Sequence, residues 1–373
     1  MESVKTENKV WQIVKKLSKR WFIDAFSGMA QGLFVTLIAG TILAMIAGWL
    51  GEGPFGVLVT TVANFAKTLM GAGIGVGIAH ALKANKLVTF SAAVMGMIGA
   101  FSDKIIAGQA AIALGAPGNP IGAYVVALFT VEIASLYAGK TKLDIILIPL
   151  GMLALSLGGV YLAYPFIWLV NQLGILIAVA TDATPFFMGI IIAVVMGILL
   201  TMPTSSAAIW MAVATPVITG GSATEVNAIL LAGGAAAVGC ACHMVGFAVT
   251  SYRENGVSGL VAQGIGTSML QIPNIMKKPV VMVPEIVASA ICGPLATCVF
   301  GLRCTAAGGG MGTSGLVGIM GILDASAGVI DPLSMWLGTI LLMIVLPAAI
   351  SLGVSELFRH KNIIKSGDLK LDL

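Results

Sequence analysis

The residues best suited to chemistry in this chain lie between positions 243 and 316. One short phrase occurs twice, 46 residues apart: Gly264-Ile265-Gly266-Thr267-Ser268-Met269-Leu270 and Gly310-Met311-Gly312-Thr313-Ser314-Gly315-Leu316, both G-x-G-T-S-x-L. Upstream stand His243 and a tight charge cluster, Arg253-Glu254-Asn255, while Gln263, Gln271 and Asn274 add carboxamides over one short reach. Hydroxyls, amides, a carboxylate and an imidazole together supply the mixed donors and acceptors that a polar solute needs. The residues expected to bind it are His243, Arg253, Glu254, Asn255, Gly266, Thr267, Ser268, Gln271, Asn274, Gly312, Thr313 and Ser314.

The glycines carry a second argument, because almost everything around them is apolar. In a bilayer core each N–H and C=O must find a partner, so Gly-rich breaks survive only where they face protein or a water-filled cavity. Gly supplies the turn, and Thr or Ser caps the helix that follows. A half-helix that begins at membrane depth presents free N–H groups and its positive end to whatever binds there. Other readings of the same residues stay open: Gly, Ser and Thr also let membrane helices approach closely. Arg253 and Glu254 can pair in water, His243 can be satisfied by a carbonyl, and Glu285, just after Pro284, can cap its helix. Lys67, Glu132 and His243 would be the charge carriers of an ion-coupled secondary transporter. Asp103, Lys104 and Asp144 are assigned no function.

Several classes of chemistry are set aside. There is no G-x-x-x-x-G-K-[ST] phosphate loop and no H-E-x-x-H, and the three His residues are scattered at 80, 243 and 360. Cys240-x-Cys242 lacks the second ligand pair of a zinc site, and the five cysteines read as small apolar residues. No catalytic residue, cofactor or metal is expected. The net charge of +4 lies mostly in tails and loops and says little for nucleic acid.

The elements that must position these residues follow from composition. The 373 residues are 58% hydrophobic and 10% charged, against about 25% charged in soluble chains. Residues 25–51, 105–131, 145–181 and 183–224 contain no Asp, Glu, Lys or Arg. A span needs about 20 apolar residues, and the last two runs are each long enough for a helical hairpin. The expected fold is an all-α polytopic membrane protein with about ten transmembrane helices and one or two re-entrant hairpins. Breaks are expected at Gly115–Pro120, near Tyr164-Pro165, and at Met202–Ser206. The alternate glycines 71, 73, 75 and 77 do not make one helical stripe and imply a distorted or tightly packed segment. Gly233–His243 echoes Gly71–His80, both Gly/Ala-rich and ending in His, as two structural halves would.

Residues 1–24 form a basic amphipathic lead-in, with Val10, Trp11, Val14, Leu17, Trp21 and Phe22 at helical spacing among Lys15, Lys16, Lys19 and Arg20; no cleavable signal peptide is expected. Residues 25–356 are expected to form one transmembrane domain, and 357–373 a basic tail. Basic ends place both termini in the cytoplasm, which requires an even number of crossings.

The run from Met244 to Asn255, the segment Gly264–Asn274 and the segment Gly310–Gly318 resemble the membrane IIC components of the bacterial sugar phosphotransferase system, and within it the branch that includes the PfoR regulators. The resemblance covers most of the membrane region and is densest from about residue 225 to 320. It implies a homodimeric permease of the bacterial cytoplasmic membrane, surrounded by lipid, with re-entrant hairpins. It implies a sugar held by polar side chains, notably a Glu and a His, for which Glu254 and His243 are the matching candidates. It also implies phosphorylation by cytoplasmic IIA and IIB partners, here expected as separate proteins. The Glu-Pro dipeptide of better-known members does not occur in this chain. A membrane-embedded regulator or sensor of the PfoR kind, with the basic tails as its output surface, is the alternative, beside the ion-coupled transporter.

Overall fold

The fold, a computed structural model, describes residues 9–51, 53–108, 118–202 and 206–371. The expected loop at 115–117 and the expected break at 203–205 lie outside the described residues, as do the first eight residues and the last two. Among the described residues every regular element is helical, and there is no strand. Among the described residues six helices are long and apolar enough to cross a membrane, or seven if Pro54–Thr68 and Met70–Ala81 count as one bent span. Lys86–Ala100, Pro185–Thr201, Ser206–Gly220 and Ser314–Ser326 are apolar but shorter. The chain divides into two compact units, one of residues 1–40 and 64–167, the other of residues 41–63 and 168–373.

The first unit contains α1 (Lys9–Lys19), α2 (Phe26–Leu33), α3 (Met70–Ala81), α4 (Lys86–Ala100), α5 (Pro120–Tyr137) and the first part of α6 (Asp144–Ala183). Helix α3 explains its alternate glycines. Residues two apart on an α-helix point about 200° apart, so 71 and 75 share one face and 73 and 77 the other. A Cβ on Gly71 or Gly75 would run into the α4 backbone at Gly96 or Ala92, and one on Gly73 or Gly77 into the α2 backbone at Gly32 or Gly28. The segment is an undistorted helix packed tightly on two sides. Where α1 gives way to α2, Arg20 Nε and Trp21 Nε1 donate to Glu132 on α5 at 2.6 and 3.0 Å, and the Tyr124 hydroxyl donates to the Trp21 carbonyl. Asn119 caps α5 by accepting from the Ile121 and Gly122 amides.

The expected break at Tyr164-Pro165 is not there: α6 runs unbroken for 40 residues through Pro149 and Pro165. Each proline removes a single backbone donor, a loss that membrane helices tolerate. At 1.5 Å per residue α6 is about 60 Å long, roughly twice the apolar thickness of a bilayer.

The second unit is built round α9 (Ala223–Thr250), the most deeply buried of the candidate spans. It follows α7 (Pro185–Thr201) and α8 (Ser206–Gly220) and precedes α10 (Val283–Pro294) and α11 (Leu346–His360). A capping box opens it: Ser222 accepts from the Glu225 amide while the Glu225 side chain accepts from the Ser222 amide. Small residues on α9 let its neighbours approach at backbone distance. Gly239 faces the Ala193 backbone of α7, Gly234 the Leu302 carbonyl, and Gly246 the side chains of Ser351 on α11 and Glu285 on α10. Residues 301–313 are non-helical, and the Cys304 amide donates to the Leu230 carbonyl of α9 at 2.9 Å. Beyond α11 the chain turns at Asn362 (φ 57°) and lays Ile364 and Leu369 against Phe247, Ile275 and Val281.

Candidate functional site

The two copies of G-x-G-T-S are in contact. Thr313 Oγ1 donates to the Gly264 carbonyl at 2.6 Å, and Ser314 Oγ to the Gly266 carbonyl at 2.9 Å. Identical sequence takes different roles in the two copies. Thr267 caps its 3₁₀ turn by accepting from the Met269 amide, whereas Thr313 reaches across to the first copy and to Met244 Sδ of α9. The helical pieces after the first copy, Ser268–Gln271 and Ile272–Lys277, have only four and six residues. They are too short to build much of a dipole, so the expected half-helix end is not what the first copy offers. Gly312 (φ 55°) fits against the backbone of Cys240 and Ala241, where a Cβ would not. At the other end Gly266 is exposed, with open space where a Cβ would stand, and Gly315 (φ 52°) and Leu316 (φ 63°) lie in left-handed backbone.

A buried chain of polar groups leads inward from Ser268. Thr201 on α7 lies 2.9 Å from Ser268 Oγ, 2.9 Å from His243 Nδ1 and 3.1 Å from the Gly197 carbonyl. Its one proton goes to that carbonyl, so its oxygen accepts from the Ser268 hydroxyl and from Nδ1–H. His243 Nε2 is then the acceptor nitrogen. It is fully buried without a hydrogen-bond partner and lies over Gly197, where a Cβ would stand 2.8 Å away.

Glu285 does not take the capping role that its place after Pro284 allowed. Its side chain turns into the unit and is fully buried. Oε1 accepts from Thr250 Oγ1 at 3.2 Å, and Oε2 has no partner. Ser351 Oγ, also buried and partnerless, shares the niche opened by Gly246. Thr250 is seven residues from His243 on α9, about 10 Å along the same face. Polar residues buried together on facing helices were the available signal, and helical spacing alone does not reveal which helices face one another.

The remaining predicted residues lie to one side. Glu254 pairs with Arg359 at 2.9 Å, and Arg359 also donates to the Thr250 carbonyl at 3.0 Å. Arg253, two-thirds exposed, pairs with Glu356 at 3.2 Å. Asn255, Gln271 and Asn274 bond to the backbone of residues 369–371. Of the residues weighed as ion carriers, Glu132 is held by Arg20 and Lys67 is half-buried.

No curated protein and no solved structure matches this chain. A family model described as "Phosphotransferase system, EIIC" matches residues 23–371, from the end of the amphipathic lead-in to the last described residue. The apolar helices and that match make this a multi-pass membrane protein. With 23–371 accounted for, the chain belongs to the EIIC family of the phosphotransferase system, membrane sugar permeases that work with IIA and IIB partners.

Proposed function

We propose that the chain binds its sugar where the two G-x-G-T-S segments meet. The observation that carries this reading is their mutual hydrogen bonding, Thr313 to Gly264 and Ser314 to Gly266, beside the buried line Ser268–Thr201–His243. Gly266 and Gly312 leave backbone accessible or closely packed, Thr267 fixes the turn, and Ser268, Ser314 and His243 Nε2 offer hydroxyl and imidazole groups to sugar hydroxyls. Glu285 supplies the carboxylate that the resemblance placed at Glu254. Arg253, Glu254, Asn255, Gln271 and Asn274 enter as supports of the segment that carries Ser268. The two segments act as re-entrant hairpins within one transmembrane domain, 25–356.

Phosphorylation is done by separate IIB and IIA proteins. The basic stretches 1–24 and 357–373 put both termini on the cytoplasmic side of the bacterial inner membrane. The chain works as a lipid-embedded homodimer of the PfoR-like branch. Calorimetry on the purified protein in lipid nanodiscs, against a panel of hexoses, pentoses and hexitols, tests the site. Saturable binding to at least one sugar, weakened about tenfold or more by Ser268→Ala and by Glu285→Gln, is the expected result. If no sugar binds, or both variants bind like the parent, the site is elsewhere.

A further inference from the structure

The C-terminal residues 364–371 are held in a manner that neither sugar binding nor the family match calls for. Leu369 and Leu371 are buried while Lys370 between them is exposed, and the residues before them form a turn in which the Asp368 amide donates to the Lys365 carbonyl at 3.1 Å and the Lys370 amide to the Gly367 carbonyl at 3.2 Å. The backbone between these leucines is read by side-chain amides. Asn255 Nδ2 donates to the Leu369 carbonyl and Asn255 Oδ1 accepts from the Leu371 amide, both at 2.8 Å. Gln271 donates to the same Leu369 carbonyl at 3.1 Å, and Asn274 to the Lys370 carbonyl at 2.9 Å.

These carboxamides are themselves fixed. Asn274 donates to Gln271, Gln271 to Gln263, and Gln263 to Ser251 Oγ, at 2.8, 2.9 and 2.8 Å. Just before the leucines, Asp368 pairs with Lys278 at 2.6 Å. Main-chain hydrogen bonds supply affinity, and the burial of Leu369 and Leu371 on either side of exposed Lys370 supplies specificity.

We propose that Asn255, Gln271, Asn274 and Lys278 form a peptide-binding slot selective for an acidic-Leu-x-Leu segment leaving a turn, filled in cis by Asp368–Leu371. Gln271 ends the 3₁₀ turn that begins at Ser268, so filling the slot fixes the position of Ser268. This last link rests on the sugar site proposed above; the slot itself does not.

The test uses a chain ending at Lys365 and a fluorescent peptide of residues 366–373, followed by anisotropy without any sugar. Saturable binding is expected, weakened at least about tenfold by Asn255→Ala in the chain or Leu369→Ser in the peptide. No saturable binding, or equal affinity for a scrambled peptide, overturns the slot. Hydrogen exchange on the intact chain decides the matter if the shortened chain does not fold. Residues 363–371 should be protected in the parent and exposed in Asn255→Ala and Asn274→Ala; equal exchange in all three overturns the proposal. Protection that rises with protein concentration would put a second copy's tail in the slot and overturn the cis assignment. A working slot in a protein that binds no sugar would sink only the reading of the sugar site.

Discussion

Both units are organised round a helix rich in glycine, yet they bury different things. In the first, α3 meets α2 and α4 through bare backbone, and the buried serine and threonine hydroxyls, Ser102, Thr130 and Ser156, each donate to a carbonyl three or four residues back. In the second, α9 carries His243 and Thr250, and the hydroxyls around it bond across the unit, Thr201 to residues 42 and 67 positions away. Local satisfaction makes a hydroxyl an inert filler of a helix groove. Long-range satisfaction makes it a joint, and a joint with partnerless atoms beside it, as at His243 Nε2 and Glu285 Oε2, is where a polar ligand has something to complete.

The contrast can be broken most forcefully in the first unit. Gly75→Ala would push a methyl into the Ala92 carbonyl, a backbone atom that cannot step aside. A loss of about 3 kcal/mol or more, or no folded protein, is expected from thermal melting in detergent, whereas Gly158→Ala, with open space around it, should melt within about 0.5 kcal/mol of the parent.

One substitution made in both units sharpens the comparison. Thr201→Val removes the acceptor shared by His243 and Ser268 and should cost about 2–4 kcal/mol along with sugar affinity. Thr130→Val gives up only bonds to its own helix and should cost no more than about 1 kcal/mol. Equal costs would erase the distinction between filler and joint.

The duplicated phrase offers a smaller contrast. Thr313→Val breaks the link to Gly264 and is expected to cost about 1–2 kcal/mol, and Thr267→Val, which loses a turn cap, about 1 kcal/mol or less. Sugar affinity should follow Thr313 more closely than Thr267.

Acid provides the mildest probe. Burial disfavours the Asp368 carboxylate, but the Lys278 hydrogen bond, the Lys365 amide and the two ammonium charges outweigh it and hold the carboxyl below its usual range. The ion pair therefore contributes fully above the ordinary aspartate range near pH 4 and is lost as pH falls through the lowered value. Tail protection measured by hydrogen exchange should be flat between about pH 8 and 5, and Lys278→Met should weaken it by less than about 1 kcal/mol.

How much was visible beforehand differs by kind of feature. Uncharged runs announced the helices, because a backbone in lipid has few alternatives. The repeated phrase was conspicuous, since Gly-Thr-Ser is an unusual interruption of an apolar chain, and its two copies bond to each other. Partnerships were not visible. Glu254 looked like the working carboxylate because it sits in a conspicuous cluster, and Arg359, 105 residues away, holds it. Glu285 looked like a cap because it follows a proline, and only the packing of α10 on α9 turns it inward. Asn255, Gln271 and Asn274 have the chemistry to hold a sugar and hold main chain instead, which residue type cannot distinguish. The unbroken α6 shows the converse, a proline whose local rule was outweighed by its surroundings.

The double-faced contact of α3 restricts how this protein can drift in sequence. A methyl gained at 71 or 75 must be answered on one neighbouring helix, and a methyl gained at 73 or 77 on the opposite one. No single compensating change serves both sides, so the four positions should vary among relatives as two separately co-varying pairs rather than as one.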